Sequence, residues 1–185
     1  MEENAITCGW LNTFSRSALG LISSLRDAFK RGSKIRNAVV KLIELEIAEH
    51  YWQKAGEVIF VPVGRFRGYD GISQSKVLCF ETKFEKLARD TFNLCFEYWC
   101  KGRPSGLAVT EARKWVHVVP VDQQRLCCYE FDVETLRDTL KDYPTYKGGD
   151  NNQSVFKLLS LFQAEKLKTD KFEIVIEWNE IKPYW

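Results

Sequence analysis

Tyr69-Asp70-Gly71-Ile72-Ser73-Gln74-Ser75-Lys76-Val77-Leu78-Cys79-Phe80-Glu81-Thr82-Lys83 is the stretch whose reading decides this chain. Asp70 opens one extended segment, and Lys76–Lys83, rich in Val77, Leu78, Cys79 and Phe80, reads as the strand after it. Alternation along a strand puts Glu81 and Lys83 on one face and Thr82 on the other. If the two segments pair as a hairpin, both carboxylates and the ammonium meet at one end. Hard divalent cations take oxygen ligands, so Asp70 and Glu81, with the Thr82 carbonyl, suit Mg²⁺, and Mn²⁺ as its substitute. Lys83 is placed to hold a phosphate oxygen or orient an attacking water.

Working outward, residues 34–54 carry Ile35, Val39, Leu42, Ile43 and Ile47 at helical spacing, and Gly56 ends that helix. Val58–Val61 follows as a short strand closed by Pro62. Ahead of both, Leu11, Phe14, Ala18, Leu21, Ile22, Leu25 and Phe29 form a second helical stripe, with Ser33 as the N-cap of the next helix. After Lys83 come a connection with a helical turn (84–91) and a segment, 93–101, that fits either a helix or an aromatic strand; we take the strand. Then follow a turn at Arg103-Pro104-Ser105-Gly106, a short helix over 110–114 and an apolar strand over 115–121. An edge strand is predicted over 124–131, and a helix capped by Asp132 over 133–141. A loop over 143–152 holds Gly148-Gly149-Asp150-Asn151, and a half-exposed strand runs over 172–181. Helices first, then mostly strands, predict a mixed-sheet α/β or α+β domain. The chain divides as one domain: an N-terminal helical extension over 1–32, a core over 33–160 and a C-terminal strand over 161–185.

At 185 residues, 45% hydrophobic and with a formal charge of +2, the chain has enough apolar mass for one core and too little net charge to act as a polyanion magnet throughout. Six cysteines show no Cys-x-x-Cys pair and no zinc spacing with His50 or His117. No apolar run approaches the roughly 20 residues of a membrane span, and Met1-Glu2-Glu3-Asn4 is acidic where a secretory signal is basic. The expected setting is the cytoplasm, away from membranes. No Gly-x-Ser-x-Gly, P-loop or dinucleotide fingerprint is present.

A Glu-x-Lys triplet arises about once by chance in a chain of this length and charge, and Glu180-Ile181-Lys182, ten residues after Asp170, imitates the first candidate. Context separates them. Only three residues follow Lys182, whereas 102 follow Lys83. Arg65, Arg67, Lys76, Lys83, Lys86, Arg89, Lys101 and Arg103 surround the first candidate, an arrangement that phosphate-binding proteins use and that a solvated surface interspersed with Asp and Glu also gives.

Asp70, Glu81-Thr82-Lys83 and the apolar strand before Glu81 resemble the PD-(D/E)xK nuclease superfamily. Within it, the ordered segments Thr91–Tyr98, Arg103-Pro104-Ser105-Gly106, Thr110-Glu111-Ala112 leading to Trp115, and Gly148–Asn151 resemble phage- and large-virus-type nucleases over roughly residues 34–160. More distant similarity runs to Holliday-junction resolvases and type II restriction enzymes. The resemblance implies a restriction-endonuclease-like core, a central mixed sheet of four to five strands flanked by helices. It implies Mg²⁺-dependent endonuclease action on duplex or branched DNA, with Asp70, Glu81 and Lys83 catalytic, and a possible homodimer through the Leu11–Phe29 helix. The chain departs from the pattern at Tyr69, where proline is common, and at Phe92, where glycine is usual. Arg36 or Asn37 stands where resolvases carry an early-helix glutamate. Glu46, further along that helix, and Glu97, if its segment is a strand beside Glu81, are the further metal-ligand candidates; amphipathic helices routinely carry border glutamates such as Glu46, and Glu97 is structural if its segment is a helix. Arg65, Arg67, Lys86, Arg89, Arg103, Ser105, Gly148 and Gly149 are the candidate nucleic-acid contacts. The alternative reading is a nuclease-fold module, binding nucleic acid or protein, that has lost catalysis.

Overall fold

The computed structural model describes residues 10–12, 35–62, 68–122 and 124–176, and every structural statement concerns these. In chain order the elements are β1 (Trp10–Asn12), α1 (Ile35–Ala55), β2 (Ile59–Pro62), β3 (Gly71–Ser73), β4 (Cys79–Phe84), α2 (Ala88–Thr91) and β5 (Asn93–Cys100). There follow β6 (Arg103–Pro104), β7 (Lys114–Pro120), β8 (Arg125–Asp132), α3 (Val133–Leu140), β9 (Thr145–Gly148), β10 (Ser154–Ser160), α4 (Leu161–Leu167) and β11 (Asp170–Val175). The architecture is the expected mixed α+β class.

Among the described residues the main sheet is larger than the expected four to five strands. It has seven, in the order β1-β2-β3-β4-β7-β8-β11, and a second sheet of four runs β6-β5-β10-β9. In the main sheet β4 and β7 pair in parallel and every other neighbour is antiparallel. The segment expected as an edge strand is β8, which lies between β7 and β11.

The central strands are apolar on both faces because both are covered. On one face Phe80, Val116, Val118, Leu126, Cys128 and Ile174 pack under α1, which contributes Val39, Ile43, Ile47, Ala48 and Tyr51. On the other, Trp115, Val119, Cys127, Tyr129 and Phe131 pack against Leu94 and Phe96 of β5, Leu159 of β10, and α3 and α4. Successive residues of β7 and β8 therefore belong to opposite cores.

α1 ends as expected at Gly56, whose φ of +70° is the left-handed conformation of a helix C-terminus, with its N–H on the Trp52 carbonyl at 2.8 Å. Asp132 caps α3 by accepting from the Thr135 N–H at 2.9 Å. α4 has no counterpart among the expected elements, although Ser160 and Gln163 form a capping box at its start.

Other expectations change. Leu11 belongs to β1 rather than to a helix, and the rest of that stripe, with Ser33 and the proposed dimer face, lies outside the described residues. No helix forms over 110–114. The Thr110 hydroxyl accepts the Ala112 N–H at 3.2 Å, and Arg137 takes the Thr110 carbonyl at 2.8 Å, so local side chains claim groups a helix would need. β4 begins at Cys79 because 74–77 form the hairpin turn, with Lys76 at φ +60°. Half of the expected 143–152 loop is β9, which finds its partner on β10. The C-terminal strand is β11, and residues from 177 lie outside the described ones. No helix is long and apolar enough to cross a membrane.

Candidate functional site

β3 and β4 form the expected hairpin, with Gly71 opposite Phe80. Continuing that register by one residue sets Asp70 opposite Glu81, and the Asp70 N–H donates to the Phe80 carbonyl at 2.8 Å. Gly71 is required here. A Cβ on it would lie 2.3 Å from the Phe80 ring, which covers the glycine's backbone. Phe80 and Phe84 turn toward the α1 core and Thr82 is buried, while Glu81 and Lys83 alternate away from them.

The Asp70 carboxylate accepts the Thr82 N–H at 2.7 Å, which fixes it across the hairpin. From the other side the Thr110 hydroxyl lies 3.4 Å from Glu81 Oε2 and 3.1 Å from the Gly68 carbonyl. The Glu111 N–H also reaches Gly68, at 2.8 Å. The Thr-x-Ala segment thus holds the approach to Asp70 and touches Glu81 at the same time.

A third carboxylate joins them that sequence reading did not select. Glu44 of α1 is only 5% exposed. Its neighbour Lys41 makes an ion pair with it and donates to the Pro62 carbonyl at 2.9 Å. Burial, then the Asp70 charge, pushes Glu44 up to about 7 against the opposing pull of Lys41. Burial, then Asp70 and then Glu44, pushes Glu81 up to about 8, with Lys83 pulling the other way. Burial raises Asp70 too, against the Thr82 N–H and Lys41. Three carboxylates from α1, β4 and the start of β3 therefore act on one another through a poorly solvated space, with Lys41 and Lys83 as the cations that offset them. All three offer hard oxygen donors, and together they carry more negative charge than the two lysines neutralise. That is the chemistry a divalent cation fits. In the arrangement described, no three His, Cys, Asp or Glu side chains among the described residues stand together as a ready ligand set.

The signal for Glu44 was present in the sequence. It lies on the line Val40–Glu44–Ala48–Tyr51, beside Ile43 and Ile47, so a charge interrupts the stripe that docks on the sheet. Glu46, the predicted ligand, is two residues on and about 200° around the helix. Its carboxyl rises to about 7 through burial and Glu49, with no part in the Asp70–Glu81 group.

Glu97 is on a strand, as expected, but β5 pairs with β6 and β10 and not with β4. One carboxylate oxygen accepts from Ser105 at 2.7 Å and the other from Ser154 at 2.8 Å. Glu97 therefore ties the Arg-Pro-Ser-Gly turn to the strand after the Gly-Gly-Asp-Asn loop, and the metal-ligand role predicted for it is not the one this geometry gives. The Ser105 hydroxyl is committed to the same bond. Lys86, Arg89 and Arg103 are exposed. Gly149 adopts φ +72°, and a Cβ on Gly148 would meet the Phe156 ring at 2.8 Å. Arg65 and Arg67 lie outside the described residues.

Cys79 and His117 make no nucleophilic pair. Burial pushes the Cys79 thiol up to about 11. His117 is fully buried, accepts from Trp115 Nε1 at 3.1 Å, and is held below its usual pKa by that burial. The imitating motif is occupied otherwise: Asp170 forms an ion pair with Lys54 at 2.6 Å, and Glu180 and Lys182 lie outside the described residues. Compared with family models, with curated proteins and with solved structures, the chain matches none.

Proposed function

We propose that this chain is a metal-dependent endonuclease that hydrolyses DNA phosphodiester bonds. The observation that carries the reading is the hairpin register that sets Asp70 opposite Glu81, with Lys83 on the Glu81 face of β4 and the Asp70 charge acting on both Glu81 and the buried Glu44. A fold gains no stability from setting Glu44 and Glu81 where burial and the Asp70 charge raise both. Such groups mark places where charge is to be received. Glu44, Asp70 and Glu81 would hold Mg²⁺, or Mn²⁺ in its place, with the Thr82 carbonyl as a further oxygen donor. Bound there, the ion would supply Lewis-acid charge against the scissile phosphate and lower the pKa of water.

The chain's own residues do the rest. Asp70, pinned by the Thr82 N–H, is oriented before substrate arrives. Lys83, on the Glu81 side of β4, offers an ammonium to a non-bridging phosphate oxygen and offsets charge as it develops there. Glu81 must be ionised to hold the ion, so binding would displace the proton that burial and the Asp70 charge favour there. Lys41 holds Glu44 toward the sheet through its grip on the Pro62 carbonyl.

Nicking of supercoiled plasmid in Mg²⁺ tests the proposal. Wild type is expected to nick, with Asp70→Asn, Glu81→Gln and Lys83→Ala each slower by more than about 100-fold. Equal nicking by wild type and Asp70→Asn would overturn it. A second reading, a nuclease-fold module without catalysis, draws on the lack of a closed ligand set among the described residues. Calorimetric titration separates the two, because Mg²⁺ or Mn²⁺ binding that Glu81→Gln abolishes belongs only to the first.

A further inference from the structure

Pairing between β5 and β10 is interrupted once. Val155 pairs with Trp99 and Phe156 with Glu97, so Tyr98 is an extra residue on β5, a β-bulge. The bulge re-aims the next side chain. Without it Trp99 would share the face of Glu97, two residues before it. With it, Trp99 joins the face of Val155 and Lys157, opposite the one on which Glu97 meets Ser154. Trp99 is 42% exposed there, whereas Trp115 in the core is 2% exposed.

Around that indole lies an open groove of about 500 Å³, lined also by Lys101, Lys147, Asn152, Gln153 and Val155, and among the described residues no carboxylate lines it. Lys147 stands opposite Val155, itself opposite Trp99, so an aromatic ring, an aliphatic floor and a cation form one row across three strands. Lys101 sits at the tip of the β5–β6 hairpin, where Lys101 and Gly102 take φ of +50° and +77°. Those are the values of a two-residue type I′ turn, and the Lys101 N–H is fixed to the Gln153 carbonyl at 3.0 Å. Neither lysine forms an ion pair among the described residues, so both ammonium groups remain for a ligand. Two amide side chains add donors and acceptors without charge.

We infer that this groove binds a single strand of DNA, with a base stacked on Trp99 and phosphates held by Lys101 and Lys147. A flat aromatic surface between unpaired cations matches a ligand that alternates bases with phosphates. The apolar row alone would not require the lysines, and the lysines alone would not require an exposed indole. The inference does not depend on catalysis at the Glu81 site.

Binding of a fluorescein-labelled oligothymidylate, read by anisotropy in EDTA so that no cleavage intervenes, tests it. Trp99→Ala is expected to weaken binding about ten-fold or more, and Trp99→Phe to retain most of it. The double change of Lys101→Ala with Lys147→Ala should reduce the slope of log affinity against log salt by about 1.4. Far-ultraviolet circular dichroism melts confirm that each variant folds. Unchanged affinity in folded Trp99→Ala would overturn the inference. Thymidine monophosphate displacing the strand at equal concentration would overturn it too, by making the groove a mononucleotide pocket. Asp70→Asn protein that binds the strand but does not nick plasmid supports the groove independently of the fate of the nuclease proposal.

Discussion

A single buried acid, Glu130, and a group of three, the buried Glu44 with the half-buried Asp70 and Glu81, lie at the main sheet and behave in opposite ways. Glu130 on β8 is 5% exposed, as Glu44 is. It accepts from the Tyr51 hydroxyl at 2.7 Å and the Thr169 hydroxyl at 2.7 Å, and it forms an ion pair with Lys114 at 3.0 Å. Burial alone would raise its pKa, but these donors outweigh burial and hold it below the ordinary carboxylate value. Glu44, Asp70 and Glu81 have fewer donors and one another for neighbours, and all three are raised. Equal burial therefore has two meanings. A saturated carboxylate ties α1, β7 and β8 together. An unsaturated group of three stores unfavourable charge that an incoming cation or proton relieves.

The contrast breaks first on activity. Glu81→Gln should lower Mg²⁺-dependent nicking by more than about 100-fold, while Glu130→Gln, measured per folded molecule, should stay within about two-fold of wild type. If both lose activity alike, the distinction between the groups fails.

Stability reverses the ranking. Glu130→Ala leaves Lys114 and the Tyr51 hydroxyl without their partner, and should cost about 3 kcal/mol, a fall in Tm of about 6–12 °C for a chain of this size. Glu81→Gln removes a charge the fold tolerates poorly, so it should raise Tm at pH 8 in the absence of divalent metal. One pKa unit of relief is about 1.4 kcal/mol, or about 3–6 °C.

The pH dependence sharpens this. Glu44 and Glu81 have folded pKa values of about 7 and about 8, above the ordinary 4.5. Their contribution to stability is fully present below about pH 4.5 and is lost as pH rises through 7 to 8. The gain from Glu81→Gln should therefore vanish near pH 4.5. Glu130, shifted down, contributes above its unfolded value and loses that contribution as pH falls through its folded pKa. In melts from pH 4 to 8 the gap between Glu81→Gln and wild type should widen as pH rises, while that between Glu130→Ala and wild type should stay level above about pH 5 and shrink only as pH falls below 4.5.

The smallest effect belongs to Lys54→Ala. Its bond to Asp170 is solvent-exposed, so the change should cost less than about 1 kcal/mol and should shrink further in high salt. A larger loss would mean that the imitating motif, too, carries part of the fold.

Much of this was legible along the chain. The limits of α1, the Asp132 cap, the apolar run of β7 and the β3–β4 hairpin follow from periodicity, capping chemistry and alternation, all set by residues close in sequence. So does the sharing of one β4 face by Glu81 and Lys83. The second sheet was not legible, because β5 and β10 are recognised as partners only once the residues between them, 101–153, have folded. Glu97 was misplaced for that reason: being in a strand was readable, but which strand lies beside it was not. Glu46 borders the Val39–Leu42 line and Glu44 interrupts the Val40–Ala48 line, and a helical pattern alone leaves open which of those flanks meets the sheet edge.

The sequence by itself determined α1, α3 and the extended segments that carry Asp70 and Glu81, since periodicity, caps and pleat are set over a few residues. Only the tertiary structure decided that Glu44 is the third acid and that Glu130 is saturated. Only it decided that a bulge at Tyr98 turns Trp99 out between two lysines. Burial and electrostatic strain depend on what packs across the gap between elements, and those contacts join residues that no local pattern relates.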